Sequence, residues 1–253
     1  MRAEPVLDEA ALLVGDTIIV ADLHIGIEEY FKRSGYRVPN LTRSMNERLV
    51  ALIKKHRAKK VVILGDLKHS IVGSEKGERY DVKEFVRSIM DLAHLTLVKG
   101  NHDGGLQYLA DRLGFELHSP KGFKLGDIGL AHGHAHPSEE VMGSKMFVMA
   151  HEHPVARLTD RLGFGTVMKC WLKTGFTVKK MPRQFIVMPA FNDYLGGTPM
   201  NDKEGKFISP LMKNKSLDLK NAGIYLLDGT FLGKRKDLID GPRRDRTADL
   251  RVP

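Results

Sequence analysis

Apolar positions change their spacing several times along the chain, and each change marks an element. Two short runs, Ala11–Val14 and Thr17–Ala21, flank Gly15-Asp16, a pair suited to a tight turn, and predict a β-hairpin. A helical pattern passes through Glu28, Glu29 and Phe31. Asn40 then stands as the N-cap of a helix reaching about His56, with Leu41, Met45, Leu49, Leu52 and Ile53 on one face. The run Val61-Val62-Ile63-Leu64, closed by Gly65-Asp66, lacks polar alternation, which predicts a strand buried on both faces. A helix from about Val82 to Leu92, a strand Leu95–Val98 and a short helix Gly105–Leu113 repeat the rhythm.

Strand, polar turn and helix in succession predict a sheet with crossover helices, in which ligands collect beyond the carboxyl ends of the strands. After Glu116 the texture changes to short β-like runs at Phe123–Leu125, Ile128–Ala131, Met146–Ala150, Val155–Leu158, Thr166–Leu172 and Phe185–Val187. These predict a second sheet, antiparallel in character. Thr198–Asn221 is polar and poorly periodic, as a long surface loop would be, and Gly223–Leu232 reads as a closing hairpin about Asp228-Gly229. No linker or repeat divides residues 1–240, which are expected to form one domain. Residues 241–253 lack hydrophobic periodicity and are expected to be a disordered basic tail.

Composition narrows the class. With 253 residues the chain can bury a substantial core without staples, and its single cysteine, Cys170, excludes an internal disulfide and suits a reducing cytoplasm. The start, MRAEPVLDEA, carries acids where a secretory leader is basic, and no apolar stretch is long enough to span a membrane. Lys+Arg 40 against Asp+Glu 31 gives a net charge of +9, which suits a polyanionic partner without identifying one. The densest basic run, Lys54 to Lys60, lies at a helix end, where the helix dipole favours cations and a solvated cap is the simpler reading. Few aromatics interleave with the basic residues, so attraction to a phosphate backbone is indicated and base reading is not.

The histidines change the picture most. Eight of the 11 lie in or beside turns that end apolar runs. Together the turns present Asp22 and His24, Asp66, Asn101 and His102, His132, and His151 and His153. Carboxylate, imidazole and one amide oxygen form a ligand set suited to Mn²⁺, Zn²⁺, Fe²⁺ or Ni²⁺. Asp22 and His24 are two apart, so on extended backbone they leave the same face and can grip one ion; His151 and His153 repeat the spacing. With Asp66, Asn101 and His132 this makes seven ligands, too many for one ion but right for two if a carboxylate bridges them. Any one of these turns alone is unremarkable.

In order, ADLHIG, LGDLKH, KGNHD, AHGH and AHEHP resemble the five motifs of the calcineurin-like metallophosphoesterases, and within them the archaeal phosphoesterases related to the SbcD nuclease. The resemblance spans Asp22 to Pro154. It implies an α/β fold, a four-layer αββα sandwich of two mixed β-sheets flanked by helices. It implies one divalent ion on Asp22, His24, Asp66 and His153 and a second on Asp66, Asn101, His132 and His151, with Mn²⁺ the expected metal. Asp66 and His102 would be the catalytic pair, Asp66 as the bridge and His102 at the scissile phosphate, while a hydroxide held between the ions attacks phosphorus in line. One departure is Ala150, where the family usually has glycine. His134, His69 and Lys68 are the remaining candidates, for second-layer or substrate contact. The implied substrate is a phosphodiester, with DNA or RNA favoured by the SbcD resemblance and by the charge. The rivals are a phosphodiesterase or phosphatase for a small nucleotide or metabolite, and a scaffold that binds nucleic acid without cutting it. No coiled-coil heptads suggest a partner, and the oligomeric state is left open.

Overall fold

A computed structural model of the protein describes residues 2–71, 76–159, 164–177, 182–203, 206–213 and 217–240. The basic tail at 241–253 lies outside the described residues. The predicted hairpin forms: β2 (Leu12–Val14) pairs antiparallel with β3 (Thr17–Val20), and a two-residue β1 (Glu4–Pro5) extends it. From β3 the sheet continues in parallel through β4 (Lys60–Leu64), β5 (His94–Val98) and β6 (Glu116–His118). Parallel neighbours need crossover connections. These are supplied by α1 (Ile27–Arg33), α2 (Leu41–His56), α3 (Lys76–Met90) and α4 (Leu106–Leu113). Asn40 caps α2, its Oδ1 accepting the Arg43 N–H at 2.8 Å. Helix α3 begins before its apolar pattern does, because Glu78 in its first turn is buried by accepting the Ser70 N–H and hydroxyl.

The second sheet holds β7 (Phe123–Leu125), β8 (Ile128–Ala131), β9 (Met146–Met149), β10 (Val155–Thr159), β11 (Gly165–Thr174), β12 (Gln184–Val187), β13 (Gly223–Leu226) and β14 (Phe231–Lys234). Its order is β14-β13-β11-β12-β9-β8-β7, with β10 paired to β11. The antiparallel expectation is corrected here, for β8–β9 and β9–β12 are parallel. Residues 132–145, which carry the short α5 (Glu139–Met142), are long enough to return the chain to the start of a parallel neighbour.

Alternation along the strands sorts side chains into three cores, which define four layers. Ile18, Val20, Val61, Ile63, Leu95 and Leu97 face Met45, Leu49, Phe85 and Leu106 of the helices. From the opposite face of the same strands Ile19, Val62, Leu64 and Val98 meet Ile128, Leu130, Val148, Trp171 and Ile186 between the sheets. Beyond the second sheet, Phe147, Cys170, Leu172, Phe185 and Ile224 pack against Val141, Leu211 and Met212. The αββα arrangement follows directly from these clusters.

The described residues of Thr198–Asn221 do not form the expected surface loop. Met200, Ser209, Leu211, Met212 and Leu217 are buried, and the segment carries α6 (Pro210–Lys213) and a 3₁₀ turn at Leu219–Asn221. Its apolar residues are few and irregularly spaced, so packing that does occur leaves no period to read. A last helix, α7 (Arg235–Asp240), follows β14. Among the described residues no helix is long and apolar enough to cross a membrane.

Candidate metal centre

Five strands end at one place. Asp22 and His24 follow β3, Asp66 follows β4, Asn101 and His102 follow β5, His132 follows β8, and His151 and His153 follow β9. Backbone bonds continue past the strand ends: Asp22 N–H to Gly65 O at 3.1 Å, His24 N–H to Asp66 O at 2.9 Å, and Ala150 N–H to His132 O at 2.9 Å. The same-face argument from extended backbone does not hold. Asp22, His24, Asp66, His151 and His153 all have positive φ, between 44° and 68°. That conformation costs about 1 kcal/mol or more for a residue with a Cβ, and such costs gather where a site over-determines the backbone. Its effect is that Asp22 and His24 reach one cluster, while His151 and His153, equally spaced, diverge into two.

Those two clusters are Asp22, His24 and His153, and Asp66, His132 and His151, each with ligand atoms within 4.8 Å of one another. Each carboxylate has one oxygen tied to backbone and one aimed inward. Asp22 Oδ2 accepts the His151 N–H at 3.3 Å, and Asp66 Oδ1 accepts the His102 N–H at 2.9 Å. The inward Asp66 Oδ2 lies 3.4 Å from His24 Nε2 and 3.3 Å from His132 Nε2, so a single oxygen stands between the clusters. Two imidazoles are fixed by their far nitrogens, since His132 Nδ1 donates to Leu64 O at 2.9 Å and His153 Nδ1 to Gly196 O at 3.1 Å. Their Nε2 atoms thereby face inward, and each offers a lone pair to a cation once any proton it carries has left.

The inward atoms lack hydrogen bonds. Asp22 Oδ1 and the Nε2 atoms of His24, His132 and His153 are buried without a hydrogen-bond partner. Buried polar groups left unpaired are costly, and four converging on two points fit cations better than protein partners. The charges agree. Burial works against ionised Asp66, but His132 and His24 outweigh it and hold the carboxyl far below its usual range. Burial also opposes a charged His132, yet Asp66 and Asp22 raise it to about 9, so an imidazolium stands between two carboxylates where a cation fits. His24 and His151 are driven the other way, to about 3 and about 4, chiefly by burial, and remain neutral at pH 7, the form in which an imidazole can bind a cation.

Two glycines make room for this. A Cβ on Gly65 would overlap the His132 ring, and one on Gly100 would overlap the Asp66 carboxylate and amide nitrogen.

His102 and His69 form a wall beside the first cluster. The His102 Nδ1–H donates to the His69 carbonyl, its ring stacks on His69 with centroids 5.8 Å apart, and it meets His24 edge-on at 4.6 Å. His69 Nδ1 in turn faces His24 Nδ1 at 3.4 Å, so His69 braces a candidate ligand through its ring and His102 through its carbonyl. His134 lies against the second cluster, its ring 5.2 Å from that of His132 and its buried Nδ1 without a partner. Lys68 is buried with its ammonium on the Ser70 carbonyl. Asn101 is exposed in the turn after β5.

Three further residues shape the centre, and motif reading gave them no role. Asp103, 1% exposed, accepts the Leu67 N–H at 2.9 Å and the Gly100 N–H at 2.8 Å, locking the turn after β5 to the turn after β4. Glu152, between the two histidines, accepts N–H groups of Ile208 and Ser209 and the Thr198 hydroxyl, and so anchors the misread segment to the centre. Asn192 donates to Leu23 O at 2.8 Å. Asp103 was visible inside KGNHD, while the partners of Glu152 and Asn192 are distant in sequence and left no signal. The basic run at Lys54–Lys60 lies at the entry of β4, the end of the sheet opposite Asp66.

Residues 16–198 match the family model of the calcineurin-like phosphoesterases. Among solved structures, the nuclease MPE of Pseudomonas putida aligns with a TM-score of 0.57 at 20% identity, covering 90% of this chain and 98% of that one. Yfce, a phosphoesterase from E. coli, aligns with a TM-score of 0.42 at 16% identity over 85% and 95% of the two chains. No curated protein matches the chain. The first likeness is one of fold alone, but the family match covers most of the chain, including every turn that feeds the two clusters: the protein belongs to the calcineurin-like phosphoesterase family and is a metal-dependent phosphoesterase.

Proposed function

We propose that the protein hydrolyses phosphodiesters, and nucleic-acid strands in particular, with two divalent ions. Asp22, His24, Asp66 and His153 hold one ion; Asp66, Asn101, His132 and His151 hold the other. The observation that carries the reading is Asp66 Oδ2 standing within 3.4 Å of His24 Nε2 and 3.3 Å of His132 Nε2, both nitrogens buried and unpaired. Two cations in these places supply a lowered pKa for bound water and offset charge developing on the phosphoryl oxygens. The chain's own part is to hold the ligands and present His102. With Nδ1 committed to the His69 carbonyl, His102 offers its other nitrogen to the phosphoryl group, where it donates to developing negative charge or to the departing oxygen. Mn²⁺ is the proposed metal, as the oxygen and imidazole donors suit it. The order of the motifs supports a place near the SbcD-related phosphoesterases, the net charge of +9 supports a polyanionic substrate, and the lone buried cysteine supports a cytoplasmic location.

The test is hydrolysis of bis-p-nitrophenyl phosphate, p-nitrophenyl phosphate and single-stranded DNA, each with Mn²⁺ and with EDTA. The proposal expects both diesters to be cleaved with Mn²⁺ and neither with EDTA. Preference for the monoester, or intact DNA where the small diester is cleaved, would refute the nucleic-acid reading.

A further inference from the structure

A cleft of about 370 Å³ opens beside His102, walled by Tyr30, Arg33, His69, Ser70, Ile71 and Glu78. We propose that it is a nucleoside subsite, holding the base next to the phosphate engaged at the metal centre. This deepens the phosphodiesterase reading and rests on it.

One wall is a file of rings leading from the cleft to the metal ligands. Tyr30 lies 6.1 Å from His69, His69 5.8 Å from His102, and His102 4.6 Å from His24. Tyr30 and Ile71 are 61% and 58% exposed although both border the same concave surface. Large side chains left to solvent on the walls of a cleft next to a reaction centre are a stacking platform, since every base has a π-face. The volume is at the low end for ligand sites and suits one nucleotide. The charges of the cleft are mixed, since Glu29, paired with Lys32 at 2.6 Å, and Glu78, whose Oε2 accepts from Ser70, line it together with Arg33, so it is the file of rings that favours a base. Helix α1, which carries Tyr30, is held in place where buried Glu28 accepts the Thr42 N–H at 2.7 Å and hydroxyl at 3.0 Å, so the platform is preformed.

The test is equilibrium binding of thymidine 5′-monophosphate, ribose 5-phosphate and inorganic phosphate to the full chain with Mn²⁺, for wild type, Tyr30→Ala and Tyr30→Phe. The wild type should bind the nucleotide more tightly than ribose 5-phosphate. Tyr30→Ala should lose about tenfold in nucleotide affinity with phosphate unchanged, and Tyr30→Phe should keep wild-type affinity. Equal nucleotide affinity in wild type and Tyr30→Ala, or equal binding of nucleotide and ribose 5-phosphate, overturns the subsite. The expected binding pattern in a protein that hydrolyses no diester upholds the subsite and sinks the diesterase reading.

Discussion

Gly100→Ala is the sharpest small perturbation of Asp66, the carboxylate proposed to stand between the two ions. The added methyl would overlap Asp66 Oδ1 and its amide nitrogen and lie 2.8 Å from its Cγ. Carbon atoms pack at about 3.5 to 4 Å, so Asp66 or the turn after β5 must yield by about 1 Å. Neither can do so freely: Asp66 Oδ1 is tied to the His102 amide at 2.9 Å, and the Gly100 N–H to Asp103 at 2.8 Å. Overpacking of this kind costs about 1 to 3 kcal/mol of stability, and a misplacement of about 1 Å at a reacting centre costs roughly a hundredfold in rate, about 3 kcal/mol. Gly104→Ala, in the same turn, is the control, because its Cβ would meet nothing nearer than Ile71 O at 3.4 Å. The assay is metal content after dialysis against Mn²⁺, with kcat/KM on bis-p-nitrophenyl phosphate and a melt in EDTA. Gly100→Ala should lose both ions and about two orders of magnitude in rate, while Gly104→Ala stays within a factor of two or three. Full metal content and full rate in Gly100→Ala would refute the bridging geometry.

Two further outcomes follow from the electrostatics and the ring contacts. In metal-free protein His132 has a folded pKa of about 9 against 6.5 in the unfolded chain, so its contribution is fully present below pH 6.5 and lost as pH rises through 9, a fall of roughly 3 kcal/mol. His24 and His151, lowered to about 3 and about 4, contribute above pH 6.5 and lose it as pH falls through those values, so chelated protein should melt highest near pH 6.5, and a melting temperature flat from pH 6.5 to 9 would contradict the His132–Asp66 pairing. His69→Ala should free the His24 ring and weaken Mn²⁺ binding by about tenfold, with His69→Gln recovering part of it through its amide; unchanged Mn²⁺ affinity in His69→Ala would show that the 3.4 Å contact is idle.

Much of the first sheet was legible because its elements carry strong local signals. The unbroken run Val61–Leu64 announces a strand covered on both faces, and Asn40 with the apolar face of α2 announces that helix to the residue. β1 and β6, with two and three residues, are too short for any period to show. Strand direction in the second sheet was misjudged because Met146–Met149 reads the same whether its neighbours run parallel or not. What decides direction is the length of the crossover. At the centre the candidate residues were legible by type, since Asp22, His24, Asp66, His132, His151 and His153 all end apolar runs, and the structure brings them together in two clusters that could hold ions. Their backbone was not: positive φ at five of these residues is a tertiary outcome, held by contacts such as the Asp22 N–H to Gly65 O bond. Nor was the basic run informative, for a charge cluster in sequence does not say which end of a sheet it occupies.

In the proposed function one Asp66 carboxylate oxygen joins two metal sites. Titration of the chelated protein with Mn²⁺, followed by electron paramagnetic resonance, tests it most directly. Two ions per chain with an exchange-coupled signal are expected, and in Asp66→Asn a loss of both the coupling and tight binding at each site. A single ion per chain, or two that bind with uncoupled signals and survive Asp66→Asn, would contradict it.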